Sequence, residues 1–224
     1  MKILCTICMR KGSKGIKNKN TMNLLSKPLM WYTINHAKKS KIFDQIVIST
    51  DSKKISNLAK IYGASSWFLR PKYLSSDKSA KLPAIRHALL ESENYFKTNF
   101  DYIVDLDATS PLRNISDIKV AYKLFIKENS NNLITASISR KNPYFNIIEN
   151  KKKKLGVVKD KKNFDRRQDA PKTYDMNASI YIWKRNFLLK SDKFFTEKTS
   201  LYLMPFSRSI DIDSKDDYEL VKYF

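Results

Sequence analysis

Apolar residues recur along this chain at two spacings, one typical of buried strands and one of amphipathic helices. Residues 2–8 form a short apolar run with β-branched side chains, which predicts a strand buried on both faces. Pro28 precedes a helical pattern, and proline at a first helical turn costs no hydrogen bond. Up to residue 139 the patterns predict strands at 2–8, 45–50, 64–68, 102–106 and 133–139, and helices at 29–39, 54–62, 79–96 and 115–127. Gly63 is expected to end the second helix, and Asn114 to cap the fourth.

Strict alternation of strand and helix favours an α/β fold, with a mostly parallel sheet covered by helices in right-handed crossovers. The pattern changes at residue 140, where a predicted hairpin (146–149 and 156–158) flanks a lysine turn. The remaining predicted elements are a strand at 179–183, a short helix at 186–189, a strand at 201–204 and a terminal helix at 215–223. We therefore predict a single domain over residues 1–224, in which residues 140–176 form a small β-rich insertion suited to an oligomer contact.

Composition narrows the class of protein. The chain has 224 residues with 42% hydrophobic content, enough for one full core and too much for a wholly disordered chain. Apolar runs stay well below the ~18 residues of a membrane span, and no cleavage site follows the first strand, so we expect neither a membrane nor a secreted protein. Cys5 and Cys8 alternate with apolar residues, which indicates buried free thiols and a cytoplasmic location.

A formal charge of +21 raises nucleic-acid binding as an alternative. Only nine of the 43 cations are arginine, however, whereas base recognition and bidentate phosphate contacts favour arginine. The lysines are also dispersed along the chain rather than interleaved with aromatics on one face. We therefore expect no nucleic-acid partner.

Polar residues follow the predicted strands where a parallel sheet binds its ligands, beyond the carboxyl ends. They are residues 10–15 with Lys19 and Asn20, then Asp51, Arg70, residues 107–113, residues 166–168, and Asp211 with Asp213. Cations, small residues and paired carboxylates at one edge suit a nucleoside triphosphate with a divalent metal ion.

Each part of this set has a plainer alternative. The first loop has two glycines that allow close approach of a phosphate, but it matches neither the P-loop nor Gly-x-Gly-x-x-Gly, and a basic surface loop fits equally. Asp211 and Asp213, one residue apart in an extended segment, share a face suited to Mg²⁺, but Asp213 also suits a helix cap. Asn177 suits a turn, and Arg167 with Gln168 an exposed loop. His36 and His87 are expected to be structural, since no partner lies at metal-ligand spacing.

Eight motifs taken together resemble the acylneuraminate cytidylyltransferases, the CMP-sialic acid synthetase family. They are residues 10–15 with Lys19 and Asn20, then residues 48–51, 69–71, 74–77, 109–113, 167–171, 177–182 and 209–213. The resemblance implies a three-layer, Rossmann-like nucleotidyltransferase fold and a Mg²⁺-dependent transfer of CMP from CTP to the anomeric hydroxyl of a nine-carbon 2-keto acid sugar. Pyrophosphate is the second product. The nucleophile then comes from the substrate, so no Ser–His or Cys–His pair is needed.

The resemblance also implies residue roles. For the nucleotide they are Arg10, Lys14 and Lys19 on the triphosphate, Asn20 and Arg70 on the cytidine part, and Ser13 lining the loop. Arg10, Lys19, Asp211 and Asp213 form the catalytic set, and the two aspartates bind Mg²⁺. The sugar contacts are Arg167 at the carboxylate, with Gln168, Asn177 and Asp107 in the pocket. The family implies a homodimer, with Phe194 and Phe195 near the partner's sugar site.

The chain departs from the sialic-acid pattern in several places. In the family, a small residue usually precedes the loop arginine and no lysine follows it, whereas here Met9 and Lys11 flank Arg10. Asp107 stands where many members have glutamine. Phe145 lies near the position where some sialic-acid enzymes have a substrate-facing lysine, and Ala178 stands where a glycine is usual. These features resemble the branch that acts on legionaminic or pseudaminic acid. Two alternatives stay open, a CMP-Kdo synthetase and a non-catalytic relative.

Overall fold

The computed structural model describes residues 1–12, 15–76, 79–151, 154–159 and 165–224. The predicted residues Ser13 and Lys14 lie outside these ranges. In chain order the strands are β1 (Ile3–Cys8), β2 (Asn23–Leu24), β3 (Lys27–Pro28), β4 (Gln45–Ser49), β5 (Tyr102–Leu106), β6 (Asn132–Ile138), β7 (Ile148–Lys151), β8 (Lys154–Val157), β9 (Tyr174–Met176), β10 (Ile180–Lys184) and β11 (Thr199–Leu203). The helices are α1 (Leu29–Ser40), α2 (Lys53–Ile61), α3 (Lys81–Phe96), α4 (Ile115–Lys127), α5 (Arg185–Lys190) and α6 (Lys215–Tyr223).

The central sheet has the strand order β11-β6-β10-β5-β1-β4, with β9 paired to the far end of β6. The pairs β1–β4, β1–β5 and β6–β11 are parallel, whereas β10 runs antiparallel to both of its neighbours. The prediction of a mostly parallel sheet is therefore confirmed. The reversed β10 joins two parallel groups of strands and brings the chain after β9 back across the sheet.

Helices cover both faces of this sheet, because the strands present apolar side chains to each side. On β1, Ile3, Cys5 and Ile7 pack with buried residues of α1, α2 and α4. Leu4 points to the opposite face and packs with residues of α3 and α5. This alternation explains the continuous apolar run of β1 and confirms a strand buried on both faces.

Local signals set several helix ends where they were expected. The Asn114 side chain accepts from the Asp117 amide, and the Asp117 carboxylate accepts from the Asn114 amide, which is a capping box at the start of α4. Ser214 and Asp217 form the same arrangement at the start of α6. Gly63 has a positive φ of +85° and follows the end of α2, as predicted for a glycine that terminates a helix.

The segment 64–68 and the short strands β2, β3 and β9 differ from the predictions. Residues 64–68 form no strand, and they meet the sheet through one bridge between Val47 and Ser65. Trp67 instead stacks on Tyr95 of α3 at 4.3 Å between ring centroids, so packing of the aromatics outweighs their strand propensity. Strand β9 was not predicted, since three exposed residues carry no periodic signal.

The insertion contains the expected hairpin, formed by β7 and β8 and shifted by about two residues at its start. Among the described helices, none is long and apolar enough to cross a membrane. Cys5 is buried and Cys8 partly buried, and both are free thiols as predicted.

Candidate functional site

A cleft of about 550 Å³ opens beyond the carboxyl ends of β1 and β5, where the sequence predicted a ligand site. Its lining comes from four segments: the loop after β1, the segment around Arg70 that leads into α3, the loop after β5, and the segment before α6. The charged lining residues are Arg10, Lys19, Arg70, Lys81, Asp107, Asp211 and Asp213. Cations and carboxylates thus meet in one cleft.

The loop after β1 is held by its own polar contacts. Asn20 is buried, and its side-chain amide donates to the Arg10 carbonyl oxygen at 3.1 Å. Lys19, in the same turn, forms an ion pair of 2.6 Å with Asp213. The Lys11 amide donates to Asp51 at 2.7 Å, which fastens the start of the loop to the end of β4. Arg10 and Lys19 therefore enter the cleft from a folded loop.

The same loop packs directly on the acidic segment. A Cβ atom added to Gly15 would lie 2.0 Å from the Asp213 carbonyl oxygen, so only glycine fits at this approach. The Ile212 amide donates to the Thr109 carbonyl oxygen at 2.9 Å, which ties the acidic segment to the loop after β5. Three segments distant in sequence are thereby fixed against each other.

Asp211 and Asp213 supply the carboxylates of the cleft. Burial, together with the charges of Asp213 and Asp107, raises the pKa of Asp211 to about 6. The cap of α6 is Ser214 rather than Asp213, which leaves the Asp213 carboxylate to pair with Lys19. Acidic groups crowded in this way favour a cation between them.

The donor set suits Mg²⁺ more than a softer metal. Within the ranges described above, no group of three or more His, Cys, Asp or Glu side chains could hold a metal ion. Two carboxylates in a cleft that also contains Arg10 and Lys19 match Mg²⁺ held by one or two protein oxygens and completed by phosphate oxygens. Asp211 and Asp213 therefore fit the ion, and their metal role stays a prediction.

Asp107 faces Lys81, a residue that the sequence analysis did not single out. Lys81 Nζ lies 2.8 Å from Asp107 Oδ2 and 2.9 Å from Asp105 Oδ2. Burial by itself would lower the pKa of Lys81, but the two carboxylates outweigh it and raise that pKa. Burial would raise the pKa of Asp107, but Lys81 and two hydrogen bonds from Thr109 lower it. Lys81 and Asp107 are therefore both charged at neutral pH.

A signal for Lys81 was present in the sequence. Asp105 interrupts the otherwise apolar strand β5 and is fully buried. A buried carboxylate requires hydrogen bonds and a cation, and Thr6 Oγ1 supplies one hydrogen bond at 2.7 Å. A buried Asp105 therefore predicts a cation nearby. Helix α3 covers this part of the sheet, and its first residue, Lys81, is that cation.

Two arginines near the cleft differ in role. Arg70 is buried, lines the cleft, and donates from Nε to Ser75 Oγ at 3.2 Å. Arg113 lies beneath the cleft, where its guanidinium donates to the Ser179 carbonyl oxygen at 2.7 Å and to Thr33 Oγ1 at 2.8 Å. Burial lowers the pKa of Arg113 to about 10, so it stays charged. Arg70 is available to a ligand, whereas Arg113 joins α1, the loop after β5 and the start of β10.

Cys8 also lines the cleft. Burial and the charge of Asp105 raise the pKa of its thiol, so it stays protonated and is a poor nucleophile. This agrees with the expectation that the nucleophile comes from the substrate.

The amide of Asn177 is used inside the protein. Its Oδ1 accepts from Thr135 Oγ1 at 2.6 Å and from the Ser179 amide at 3.1 Å, and its Nδ2 donates to Ser209 Oγ at 3.0 Å. These bonds join β6, the start of β10 and the segment before Asp211. Whether Asn177 also contacts the sugar stays a prediction.

The other predicted sugar contacts lie away from the cleft of this chain. Arg167 and Gln168 are exposed, and Arg167 donates to the Arg140 carbonyl oxygen. Phe194 packs between Tyr181 and Trp183, and Phe195 is 65% exposed at a second cavity of about 620 Å³. The structure thus unites the predicted nucleotide and metal residues that it describes, and leaves these sugar residues on the insertion side.

The amino-acid sequence matches the profile of a family described as Cytidylyltransferase over residues 4–223. It is 50% identical over 222 residues to "Post-translational flagellin modification protein B" from Campylobacter coli, covering 99% of this chain and 94% of that protein. It is 51% identical over 222 residues to "CMP-N,N'-diacetyllegionaminic acid synthase" from Campylobacter jejuni, with the same coverage of 99% and 94%. A solved structure of CMP:2-keto-3-deoxy-manno-octonic acid synthetase complexed with CTP has a TM-score of 0.70 and 11% identity, covers 100% of this chain and 98% of that chain, and is similar in fold.

Proposed function

This chain belongs to the cytidylyltransferase family, and from this we propose that it transfers CMP from CTP to the anomeric hydroxyl of a nine-carbon 2-keto acid sugar. The hydroxyl oxygen forms a bond to the α-phosphorus, the bond to the bridging oxygen breaks, and pyrophosphate leaves while the hydroxyl proton is lost. The observation that carries the proposal is the meeting of Arg10 and Lys19 with Asp211 and Asp213 in one cleft.

Catalysis in such a site rests on positioning and charge neutralisation. Arg10 and Lys19 approach from the glycine-containing loop and would neutralise phosphate oxygens, while buried Arg70 and Asn20 would bind the cytidine part. The ion pair between Lys19 and Asp213 keeps the lysine directed at the cleft. Arg113 orients the loop after β5, because its guanidinium donates a hydrogen bond to the Asp107 carbonyl oxygen.

Mg²⁺ is the proposed cofactor, with Asp211 and Asp213 as its protein ligands. When bound, the ion would offset negative charge on the phosphate oxygens and help ionise the attacking hydroxyl. The charges of Asp213 and Asp107 that raise the pKa of Asp211 also favour a cation at this point. Asp211 is ionised at neutral pH, as a metal ligand must be.

N,N'-diacetyllegionaminic acid is the acceptor that we propose within the nine-carbon acids. The full-length relative with 51% identity is named for that acid. The departures at Asp107 and Phe145 from the sialic-acid pattern point the same way. In the structure Asp107 acts as part of a pair with Lys81 rather than as a lone carboxylate.

We further propose a homodimer that forms through the insertion. Large apolar side chains are exposed on this side of the molecule: Ile138, Ile148, Leu155, Tyr174, Met176, Phe195, Leu203 and Phe206. Arg167, Gln168 and Phe195 lie here too, outside their own cleft, which suits a role at the cleft of a neighbouring subunit. A cytoplasmic location stays a prediction, and the two free thiols are consistent with it.

The test is pyrophosphate release with CTP and Mg²⁺ against a panel of acids. The panel contains N,N'-diacetyllegionaminic acid, pseudaminic acid, N-acetylneuraminic acid and Kdo. A reaction without any acid serves as the blank. We expect the highest kcat/KM with N,N'-diacetyllegionaminic acid. Preference for Kdo would establish the CMP-Kdo synthetase alternative, and release with none of the acids by protein that binds CTP would contradict the proposed reaction.

A further inference from the structure

Lys81 is the charged residue of the cleft that neither the motifs nor the family resemblance assigns. It begins α3, and its side chain is 30% exposed to the cleft. Its ammonium group bridges Asp105 and Asp107 and lies 5.1 Å from the centre of the Tyr181 ring. The group is therefore held in place on three sides, and one side faces the ligand space.

The charges around Lys81 exclude a main role in binding the triphosphate. Two carboxylates already surround its single positive charge, so the trio of Asp105, Asp107 and Lys81 carries a net charge of about −1 when all three are ionised. The positive charge of Lys81 is therefore already neutralised within the protein and adds little attraction for a triphosphate. Arg10 and Lys19, from the glycine-containing loop after β1, line the same cleft and are the proposed triphosphate contacts.

The hydrogen-bonding capacity of Lys81 is not exhausted by these contacts. An ammonium group has three N–H donors. One of them donates to Asp107 Oδ2 at 2.8 Å, whereas the contact with Asp105 Oδ2 at 2.9 Å is an ion pair without hydrogen-bond geometry. The described residues offer the ammonium group no further hydrogen-bond acceptor, so it can still donate to a ligand. Asp107 cannot replace this donor, because an ionised carboxylate only accepts hydrogen bonds, here from Thr109 and Lys81.

The position of the trio places this donor near the reacting end of the acceptor. Lys81 and Asp107 line the same cleft as Asp211 and Asp213, the proposed metal carboxylates. An acceptor whose hydroxyl attacks the α-phosphorus must lie close to that point.

On the basis of the proposed function, we infer that Lys81 is a specificity-determining residue that donates a hydrogen bond to a neutral oxygen of the acceptor sugar, either a hydroxyl or an acyl-amide carbonyl. Asp105 and Asp107 act as positioning residues that direct its ammonium group. Because the charge of Lys81 is already neutralised by two carboxylates, the residue gives no preference for an anionic group of the acceptor.

The test separates the acceptor from the nucleotide. Lys81→Met removes the donor and keeps the length of the side chain. The loss of a charged hydrogen bond predicts a rise of about 10- to 100-fold in the KM for N,N'-diacetyllegionaminic acid. The Kd for CTP, measured by calorimetry without the acid, should stay within about twofold of wild type. The matched control is Lys123→Met, on the exposed face of α4, which should leave both constants unchanged.

Two further variants keep the test decisive if Lys81→Met unfolds. Lys81→Met with Asp107→Asn retains the net charge of the trio and should show the same rise in acceptor KM. Lys81→Arg keeps both carboxylates paired and should keep the melting temperature. A purely structural role predicts a wild-type acceptor KM for the arginine variant, whereas the binding role predicts a rise of several fold, because the longer planar group moves the donor.

The acceptor panel identifies the oxygen. The KM of Lys81→Met is compared with that of wild type for N-acetylneuraminic acid and for its analogue with a hydroxyl in place of the acetamido group. A rise for the acetamido compound alone assigns the carbonyl. An equal rise for both compounds assigns a hydroxyl. An unchanged acceptor KM, or a CTP Kd that rises as much as the acceptor KM, would overturn the inference while wild type stays active. An inactive wild type would overturn the proposed function as well, so the two failures are distinguishable.

Discussion

Asp211 carries the most direct consequence of the metal hypothesis at the level of single residues. Asp211→Asn keeps the size of the side chain and removes the charge that would hold Mg²⁺. Because a metal ion contributes several kcal/mol of charge stabilisation to phosphoryl transfer, we expect kcat to fall by about 10²- to 10⁴-fold. Pyrophosphate release at saturating CTP and acid measures the change.

The matched control is Asp216→Asn, an exposed aspartate in the first turn of α6. It removes one negative charge near the same segment and should retain nearly all activity. Both variants should keep the wild-type melting temperature within a few degrees. A folded Asp211→Asn variant with a wild-type rate would remove Asp211 from the metal site.

Single residues also show how far the sequence predicts the site. The sequence selects seven residues because each follows a predicted strand, although the one before Arg70 does not form. The structure places all seven in one cleft: Arg10, Lys19, Asn20, Arg70, Asp107, Asp211 and Asp213. Lys81 was missed because its significance depends on Asp105, which is distant in sequence and buried. The full use of the Asn177 amide likewise depends on Thr135 and Ser209, and no local pattern reveals such partners.

Gly15 determines how two loops fit together at the level of elements. A methyl group there would overlap the Asp213 carbonyl oxygen, so Gly15→Ala must push the loop after β1 away from the acidic segment. Overpacking of this kind costs about 1–3 kcal/mol. We expect a lower free energy of unfolding and a higher KM for CTP, measured by urea denaturation and steady-state kinetics.

Gly156→Ala in strand β8 provides the comparison, since a Cβ atom there meets no heavy atom within 4 Å. That variant should match wild type in both measurements. Equal effects of the two substitutions would indicate that the contact between Gly15 and Asp213 has no special importance.

Element predictions succeeded where local signals agree with packing. The bounds of α4 and α6 follow from their capping residues and match the predicted ranges. Residues 64–68 were wrong as a strand because Trp67 and Phe68 pack on α3, a tertiary effect that propensity does not contain. The antiparallel direction of β10 depends on the path of the insertion, which periodicity does not describe.

The stability of the whole molecule should depend on pH through His36. Its Nδ1 is buried without a hydrogen-bond partner in the described residues, and burial, with Arg113 and Lys39 nearby, lowers the pKa to about 4 while Asp117 opposes the shift. The unfolded chain therefore binds a proton near pH 6.5 that the folded chain binds only near pH 4. Stability from this group is fully present above pH 6.5 and is lost as the pH falls toward 4.

Comparison with His36→Gln isolates this contribution from those of the carboxylates. Between pH 7 and pH 5, the wild type should lose about 2 kcal/mol more free energy of unfolding than the variant. Urea denaturation at both pH values measures the difference. Parallel pH profiles for the two proteins would show that His36 titrates normally in the folded state.

The proposed homodimer concerns the insertion side of the molecule as a whole. Ile138 is 64% and Met176 is 50% exposed where β6 and β9 pair, and a charged side chain at each would be buried against a partner at high cost. We expect wild type to sediment as a dimer at micromolar concentration and Ile138→Asp with Met176→Asp to sediment as a monomer. Turnover should fall with dissociation, because Arg167 and Phe195 would no longer reach a neighbouring cleft.

The control for this experiment is Ile61→Asp, since Ile61 is 75% exposed on α2 beside the opposite edge of the sheet. It introduces the same change on a side that the proposed dimer leaves open, and it should remain dimeric and active. A monomeric wild type with full activity would contradict the dimer, and it would also remove the roles proposed for Arg167, Gln168 and Phe195 at a second subunit. Loss of the dimer in the Ile61 variant would instead place the interface on the β4 side.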